Sequence, residues 1–237
     1  MISFIVPAYN EELELPATLQ AIKRAACAAT SDYEIIVVDD ASTDGTAEIA
    51  RAAEAKVVTI NRRQIAAARN AGARHARGNI FFFVDADTRI DPIHVSKAIA
   101  ALGAGYAGGS ARMLTDKDVP FLGGLLIRLF AAIYFASNLG AGAFLFTTRQ
   151  NFEAIGGFDE KYFAGEEVFL TIALKKIGRF KIIPEPMVTS GRKLRMHSGR
   201  HLWRQLVRML LGGPKSYHSR DRLDIWYDGK REAALDE

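Results

Sequence analysis

Cysteine is almost absent from this chain of 237 residues: Cys27 stands alone. That excludes an intramolecular disulfide framework and suits a reducing compartment. Long apolar runs are missing too. No stretch reaches the roughly 20 uncharged residues that a transmembrane helix requires. The nearest, Val119–Ala136, is interrupted by Gly123, Gly124 and Arg128 and reads as an amphipathic or partly buried helix. No secretory leader is expected, because the short run Ile2–Val6 meets Pro7 and acidic residues at once. There is no internal repeat and no low-complexity linker.

What the chain does have is apolar content and uneven charge. Hydrophobic residues make up 49% of it, enough for a substantial core, and the charged fraction of 24% is ordinary for a globular protein. The formal net charge is only +4, yet Arg192–Arg231 holds 11 Lys/Arg against Asp221, Asp224 and Asp228. A basic tail therefore follows a mildly acidic body, an asymmetry that points to a polyanion or an anionic membrane surface.

Hydrophobic periodicity organises the first hundred residues. Ile2–Val6, Glu34–Val38, Val57–Ile60 and Asn79–Val84 read as strands. Between them Glu11–Ala29, Ala47–Ala55 and Ile65–Ala76 read as helices, the first with Leu15, Leu19, Ile22 and Ala26 on one face and the second capped by Ser42 or Thr43. That rhythm predicts a doubly wound, mostly parallel α/β sheet flanked by helices. Further on, helices are expected at Ile93–Leu102, Phe121–Ser137 and Glu167–Lys176, and strands at Tyr106–Leu114 and Phe180–Ile183.

Three carboxylate pairs punctuate this pattern: Asp39-Asp40, Asp85-Ala86-Asp87 and Glu166-Glu167. The middle pair directly follows the apolar run Ile80–Val84, which is too short for a helix and typical of a strand buried on both faces. Two acids separated by one residue at a strand end reach the same mouth of the sheet. There they can share a hard divalent cation that bridges to substrate phosphates. In doubly wound sheets ligands bind beyond the carboxyl ends of the strands. Pro7–Glu11, Asp39-Asp40 and Asp85–Asp87 all fall there.

The motifs taken in order resemble glycosyltransferase family 2. Ile5–Glu12 and Glu34–Thr46 look like its opening signature, and Arg69-Asn70-Ala71-Gly72, Gly78 and Val84–Asp87 continue the pattern. Ile155–Glu160 and Gly165–Leu170 are similar to its acceptor-side half. The resemblance spans about Met1–Gly178. It implies the GT-A fold, a nucleotide-sugar donor (a UDP-sugar ahead of a GDP-sugar), Mn²⁺ or Mg²⁺, and inversion at the anomeric carbon.

By the same resemblance Pro7, Ala8, Tyr9 and Glu11 would line the nucleoside pocket, and Asp39 or Asp40 would hydrogen-bond the base or ribose. Arg69 would help hold the nucleotide. Ala86 would line the donor site between Asp87, which would ligate the metal, and Asp85, which would bind the ribose or share the metal. His197 would complete the metal shell. Glu167, preceded by Glu166, stands where family members usually carry an aspartate base, one methylene longer than that residue.

Implied domain limits are 1–190 for the catalytic body, with 1–114 as the nucleotide-sugar half and 115–190 as the acceptor half. Residues 191–237 form a basic extension. Within it Arg200, Arg204 and Arg208 recur opposite Leu202, Trp203, Leu206, Val207 and Leu210, a pattern equally suited to an anionic bilayer or to the catalytic body. A cytoplasmic enzyme is expected, peripheral on the inner face of the cell membrane, acting on a sugar or lipid-linked acceptor and not on nucleic acid.

Two rival readings are a nucleotidyltransferase and a catalytically silent GT-A binding module. The first lacks its usual glycine-rich basic loop near the N-terminus, and the second has no need of the acids. Gly103–Gly108 matches G-x-G-x-x-G but follows a helix and precedes a strand, the reverse of a dinucleotide fingerprint. His197 and His201 lack the adjacent glutamate of a zinc-protease helix, and Gly212–Ser216 lacks the spacing of a phosphate loop.

Overall fold

A computed structural model describes residues 1–30, 32–115 and 139–192. Eight strands form one sheet in the order β3-β2-β1-β4-β7-β6-β8-β5. They are β1 (Ile2–Ala8), β2 (Tyr33–Asp40), β3 (Lys56–Ile60), β4 (Ile80–Val84), β5 (Thr88–Arg89), β6 (Tyr106–Thr115), β7 (Phe144–Thr148) and β8 (Arg179–Thr189). The helices are α1 (Leu15–Ala29), α2 (Thr46–Ala52), α3 (Ile65–His75), α4 (Pro92–Gly103), α5 (Arg149–Ala154) and α6 (Glu166–Ile177).

Strands β1 to β4 are mutually parallel, with β1 between β2 and β4. Every residue of β1 is buried, as a strand covered on both faces requires. Alternation divides its side chains between two cores. Phe4, Val6, Phe82, Val84, Phe144 and Phe146 pack with Leu15, Leu19, Ile22 and Val95 of α1 and α4. Ile5, Ile36, Val38, Phe81 and Phe83 pack with the alanines of α3 and with Phe152, Phe158, Leu170 and Leu174. The sheet is thus doubly wound, as its periodicity predicts.

The chain order reverses at β1: it runs outward through β2 and β3, then returns to place β4 on the other side. The crevice beyond β1 and β4 is the switch point where such sheets bind ligands. Strand β7 is antiparallel to both β4 and β6. Its first residues therefore lie at the carboxyl end of β4, where Asp85 N donates to Ala143 O at 3.1 Å.

Several boundaries differ from the sequence expectations. Helix α1 starts at Leu15, not Glu11, because Glu11–Glu14 forms a turn and Pro16 sits in the first helical turn. Ser42 and Thr43 do not cap α2; Gly45 precedes it, and both hydroxyls bond Asn10 instead. Strand β8 runs on to Thr189. Its register shifts between Ile183 and Pro186, where Pro184 and Pro186 break the apolar signal, and proline is tolerated at such irregularities. Strand β5 and helix α5 are too short to carry a periodic signature. The expected helix at Phe121–Ser137 and the basic tail beyond Arg192 lie outside the described residues, as do His197, His201 and Gly212–Ser216.

Helix α3 meets the sheet through Gly72. A Cβ there would lie 2.3 Å from Ile5 Cγ2 and 3.0 Å from Val38 Cγ2. Alanine is worth up to about 1 kcal/mol more than glycine in a helix, but overpacking typically costs about 1–3 kcal/mol. Gly72→Ala is expected to lower stability in urea titrations despite its better helix propensity.

Candidate active site

The first two loops at the sheet's carboxyl end are stapled together. Asn10, at φ 51, donates its N–H to Ser42 Oγ at 3.0 Å and accepts from Thr43 N at 2.8 Å. Glu11 N donates to Thr46 Oγ1 at 2.8 Å. Pro7 and Ala8 are buried at the end of β1, where Ala8 pairs with Asp39. Tyr9 is half-buried, with the Arg63 guanidinium carbon 3.2 Å from its ring centroid, an aromatic face already stacked by a cation.

The two acids of β2 have different work. Asp40 Oδ1 accepts from Arg62 N at 2.7 Å and Arg63 N at 2.8 Å, and its Oδ2 accepts from Gln64 N at 2.7 Å. Its carboxylate thus closes the turn into α3. Asp39 is also buried, and its Oδ1 accepts from Ser42 N at 3.0 Å. Of the pair, Asp39 retains acceptor capacity toward a ligand.

Alternation places Ala86 inward, its carbonyl fixed by Thr18 Oγ1 at 2.9 Å, and leaves Asp85 and Asp87 half-buried at the mouth. Asp85 does not stand alone there. Arg69 of α3, only 1% exposed, donates from Nη2 to Asp85 Oδ1 at 2.7 Å and to Gly142 O at 2.8 Å. Its Nη1 donates to Glu166 Oε1 at 2.7 Å. Arg69, expected to help hold the nucleotide, has both terminal nitrogens committed to protein acceptors. Burial alone would weaken the guanidinium's charge, but Asp85 and Glu166 outweigh that and raise its pKa.

Glu166 and Glu167 open α6 behind Gly165, whose φ of 71 lies in the left-handed region and turns the chain sharply into the helix. Negative charge in a first helical turn is favourable. Glu166 is buried against Arg69, whereas Glu167 keeps part of its surface accessible. Even so, burial of its carboxyl, followed by the charge of Glu166, pushes Glu167 up to about 8. One guanidinium thus serves three neighbouring carboxylates, and burial raises the pKa of both glutamates of the pair, Glu167 to about 8.

A second buried cation, Arg192, was not singled out in the sequence. It follows β8, is 2% exposed, and donates from Nη2 to Glu11 Oε2 at 2.7 Å and to Oε1 at 3.0 Å. Its partner lies 181 residues away, so nothing local could signal the pair. Glu11, with Asp87 and Glu14 nearby, raises the Arg192 pKa against the effect of burial. The same segment closes on the D-x-D turn: Ser190 N donates to Asp87 O at 3.0 Å, and Thr189 Oγ1 contacts Asp87 Oδ1 at 3.4 Å.

Among the described residues no group of three or more His, Cys, Asp or Glu could hold a metal ion. Asp87 is nevertheless a hard oxygen donor at the mouth, and Mg²⁺-type ions are commonly held by one or two carboxylates plus substrate phosphates and water. The donor chemistry fits such a cation with Asp87 as its protein ligand, while Asp85 is turned toward Arg69. A shallow depression beside α3, lined by Asn70, Arg74, Phe158 and Lys161, shares none of these acids.

Comparison with known proteins agrees with this geometry. The model of glycosyl transferase family 2 matches residues 3–143. The undecaprenyl-phosphate 4-deoxy-4-formamido-L-arabinose transferase of Aeromonas hydrophila is 34% identical over 113 residues, covering 45% of this chain and 35% of that protein. Its namesake from Shewanella sediminis is 34% identical over 112 residues, covering 44% and 34%. The matches thus span about a third of the length of these relatives.

Among solved structures, the Pyrobaculum calidifontis mannosyltransferase with GDP-Man and Mn²⁺ superposes with a TM-score of 0.66 at 23% identity, covering 86% of this chain and 59% of that one. Mycobacterium tuberculosis glucosyl-3-phosphoglycerate synthase with Mn²⁺, UDP and glucosyl-3-phosphoglycerate gives 0.65 at 21%, covering 90% and 79%. Staphylococcus aureus TarS with UDP-GlcNAc gives 0.62 at 21%, covering 81% and 58%. These likenesses establish the GT-A fold.

Two measurable consequences follow from the acids. Asp40→Ala strands three backbone N–H groups and should destabilise the protein by about 1–3 kcal/mol in urea titrations, with Asp39→Ala costing less. Glu167 titrates near 4.3 when unfolded but holds its proton to about 8 when folded. The folded state binds more protons across that window, so this group's contribution to stability is lost as pH rises through it. Glu167→Gln should therefore melt higher than the parent at pH 9 and alongside it at pH 4.

Proposed function

This chain belongs to glycosyl transferase family 2, and on that premise we propose that it transfers a sugar from a nucleotide-sugar donor to a hydroxyl acceptor with inversion at the anomeric carbon. The observation that carries the reading is the meeting of the D-x-D end of β4 with the paired glutamates opening α6, joined through Arg69. A site of this kind needs a donor-side acid and an acceptor-side base on rigid elements, and both sets stand on element ends.

The acceptor oxygen attacks the anomeric carbon, the bond from that carbon to the diphosphate oxygen breaks, and the hydroxyl proton passes to Glu167. The nucleoside diphosphate leaves with the bonding electrons. Asp87 would hold a divalent cation, which when bound would neutralise charge on the departing diphosphate. Asp39 and the second oxygen of Asp85 face the nucleoside, beside the Pro7–Glu11 loop and Tyr9. His197 is retained as a candidate further ligand.

The rest of the catalytic body follows the limits read from the sequence, 1–114 for the donor and 115–190 for the acceptor. The transferases from Aeromonas and Shewanella carry undecaprenyl phosphate in their names, which supports a lipid-linked acceptor. No helix among the described residues is long and apolar enough to cross a membrane. The basic residues 191–237 supply a route to an anionic membrane surface, with the enzyme peripheral on its inner, cytoplasmic face. Solved relatives hold UDP-GlcNAc and GDP-Man, so a donor panel needs both nucleotide classes, UDP-sugars first.

The direct test incubates the protein with that panel, Mn²⁺ and undecaprenyl phosphate, and follows nucleoside diphosphate release. Asp87→Ala is expected to lose turnover and Mn²⁺-dependent donor binding while keeping its fold; full activity would remove the metal role. Glu167→Gln should keep donor binding and lose about 10²–10⁴-fold in rate. Because the base must be ionised, kcat/KM should climb with pH and level off above about 8. A flat profile between pH 6 and 9 would remove Glu167 from that role.

A further inference from the structure

We propose that Arg69 is a positioning residue that locks the donor-side acid Asp85 and the acceptor-side pair Glu166-Glu167 into one rigid unit. The inference rests on reading Glu167 as the base. Three separate elements converge on this guanidinium: the end of β4 through Asp85, the first turn of α6 through Glu166, and the loop entering β7 through Gly142 O. All three contacts lie between 2.7 and 2.8 Å, in the range of charge-assisted hydrogen bonds.

Two features separate positioning from ligand binding. Arg69 Nε is buried with no hydrogen-bond partner. The orientation of the fork is therefore set by its two terminal nitrogens, at the expense of a satisfied Nε. The guanidinium is also closed off from a ligand, being 1% exposed with its carbon 5.2 Å from the Phe158 ring centroid.

Glu167 is held through its neighbours. A Cβ built on Gly142 would lie 3.4 Å from Arg69 Nη2 and 3.5 Å from Glu167 Cγ, ordinary contact distances, so this loop runs beside both the arginine and the stem of the base. A planar fork meets acceptors on three elements from two fixed, separated nitrogens, whereas the three donors of a lysine radiate from a single nitrogen and would require the acceptors to converge on it.

The test compares Arg69→Lys with the parent protein. Affinity for UDP and GDP in the presence of Mn²⁺, measured calorimetrically, should fall no further than in Asp85→Asn, because Arg69 acts on the nucleotide only through Asp85, while kcat on the accepted donor falls about 10²-fold. Hydrogen exchange should quicken at amides 142–145 and 166–169 and stay unchanged at 10–12 and 42–46. Should Arg69→Lys fail to fold, Arg69→Met with Glu166→Met replaces the buried pair by apolar groups and should show the same pattern.

Nucleotide affinity falling further in Arg69→Lys than in Asp85→Asn would overturn the proposal and return Arg69 to the donor pocket. Parent-like turnover or unchanged exchange would overturn it as well. A parent-like rate in Glu167→Gln alongside a slow Arg69→Lys would remove the base and leave Arg69 positioning Asp85. If no donor in the panel is turned over, the exchange and affinity measurements decide the matter alone.

Discussion

The Arg69 guanidinium, buried among Asp85, Glu166 and the Gly142 carbonyl, is the interaction on which the rest of the site depends. Taking a cation out of water is costly unless its partners are close and well aligned, and here they are supplied by three different elements. Removing any one would leave an uncompensated charge inside the sheet's carboxyl end. The ends of β4 and α6 and the loop into β7 are thereby held in mutual register by electrostatics, while the two apolar cores hold the elements themselves.

That arrangement has a chemical consequence. Three carboxylates facing one guanidinium cannot all remain ionised at low cost, and burial raises both Glu166 and Glu167, the latter, the least tightly paired, to about 8. The protein tolerates a carboxyl whose ionisation disfavours the folded state, at the position where the proposed reaction needs a proton acceptor. Structural and catalytic demands oppose each other at this residue, as is common where function requires a perturbed pKa.

The charge on the other side of the mouth is balanced separately. Arg192 neutralises Glu11 and lies near Asp87 and Glu14, so the segment leaving β8 is tied to the loop leaving β1. Two buried arginines divide the acids between them: Arg69 governs Asp85 and the α6 glutamates, and Arg192 governs the rim beside Asp87. In the proposed reaction Asp87, not Asp85, is consequently the carboxylate assigned to a hard cation.

The alternating strands and helices, the acids at the strand ends and the order of the motifs are written in the sequence, because periodicity and spacing are local properties. They fixed the doubly wound sheet and brought the acids at its carboxyl end to attention. They also misplaced the start of α1, the cap of α2 and the length of β8, where a turn, a loop-to-loop hydrogen bond and two prolines override the local pattern. Only the tertiary structure decided what each acid does. Asp40 is spent on three backbone amides and Asp39 on one; Arg69 binds protein acids, and Arg192 reaches Glu11 across 181 residues. Hydrogen-bond capacity and protonation depend on through-space neighbours a few ångströms away, and adjacency along the chain does not specify them.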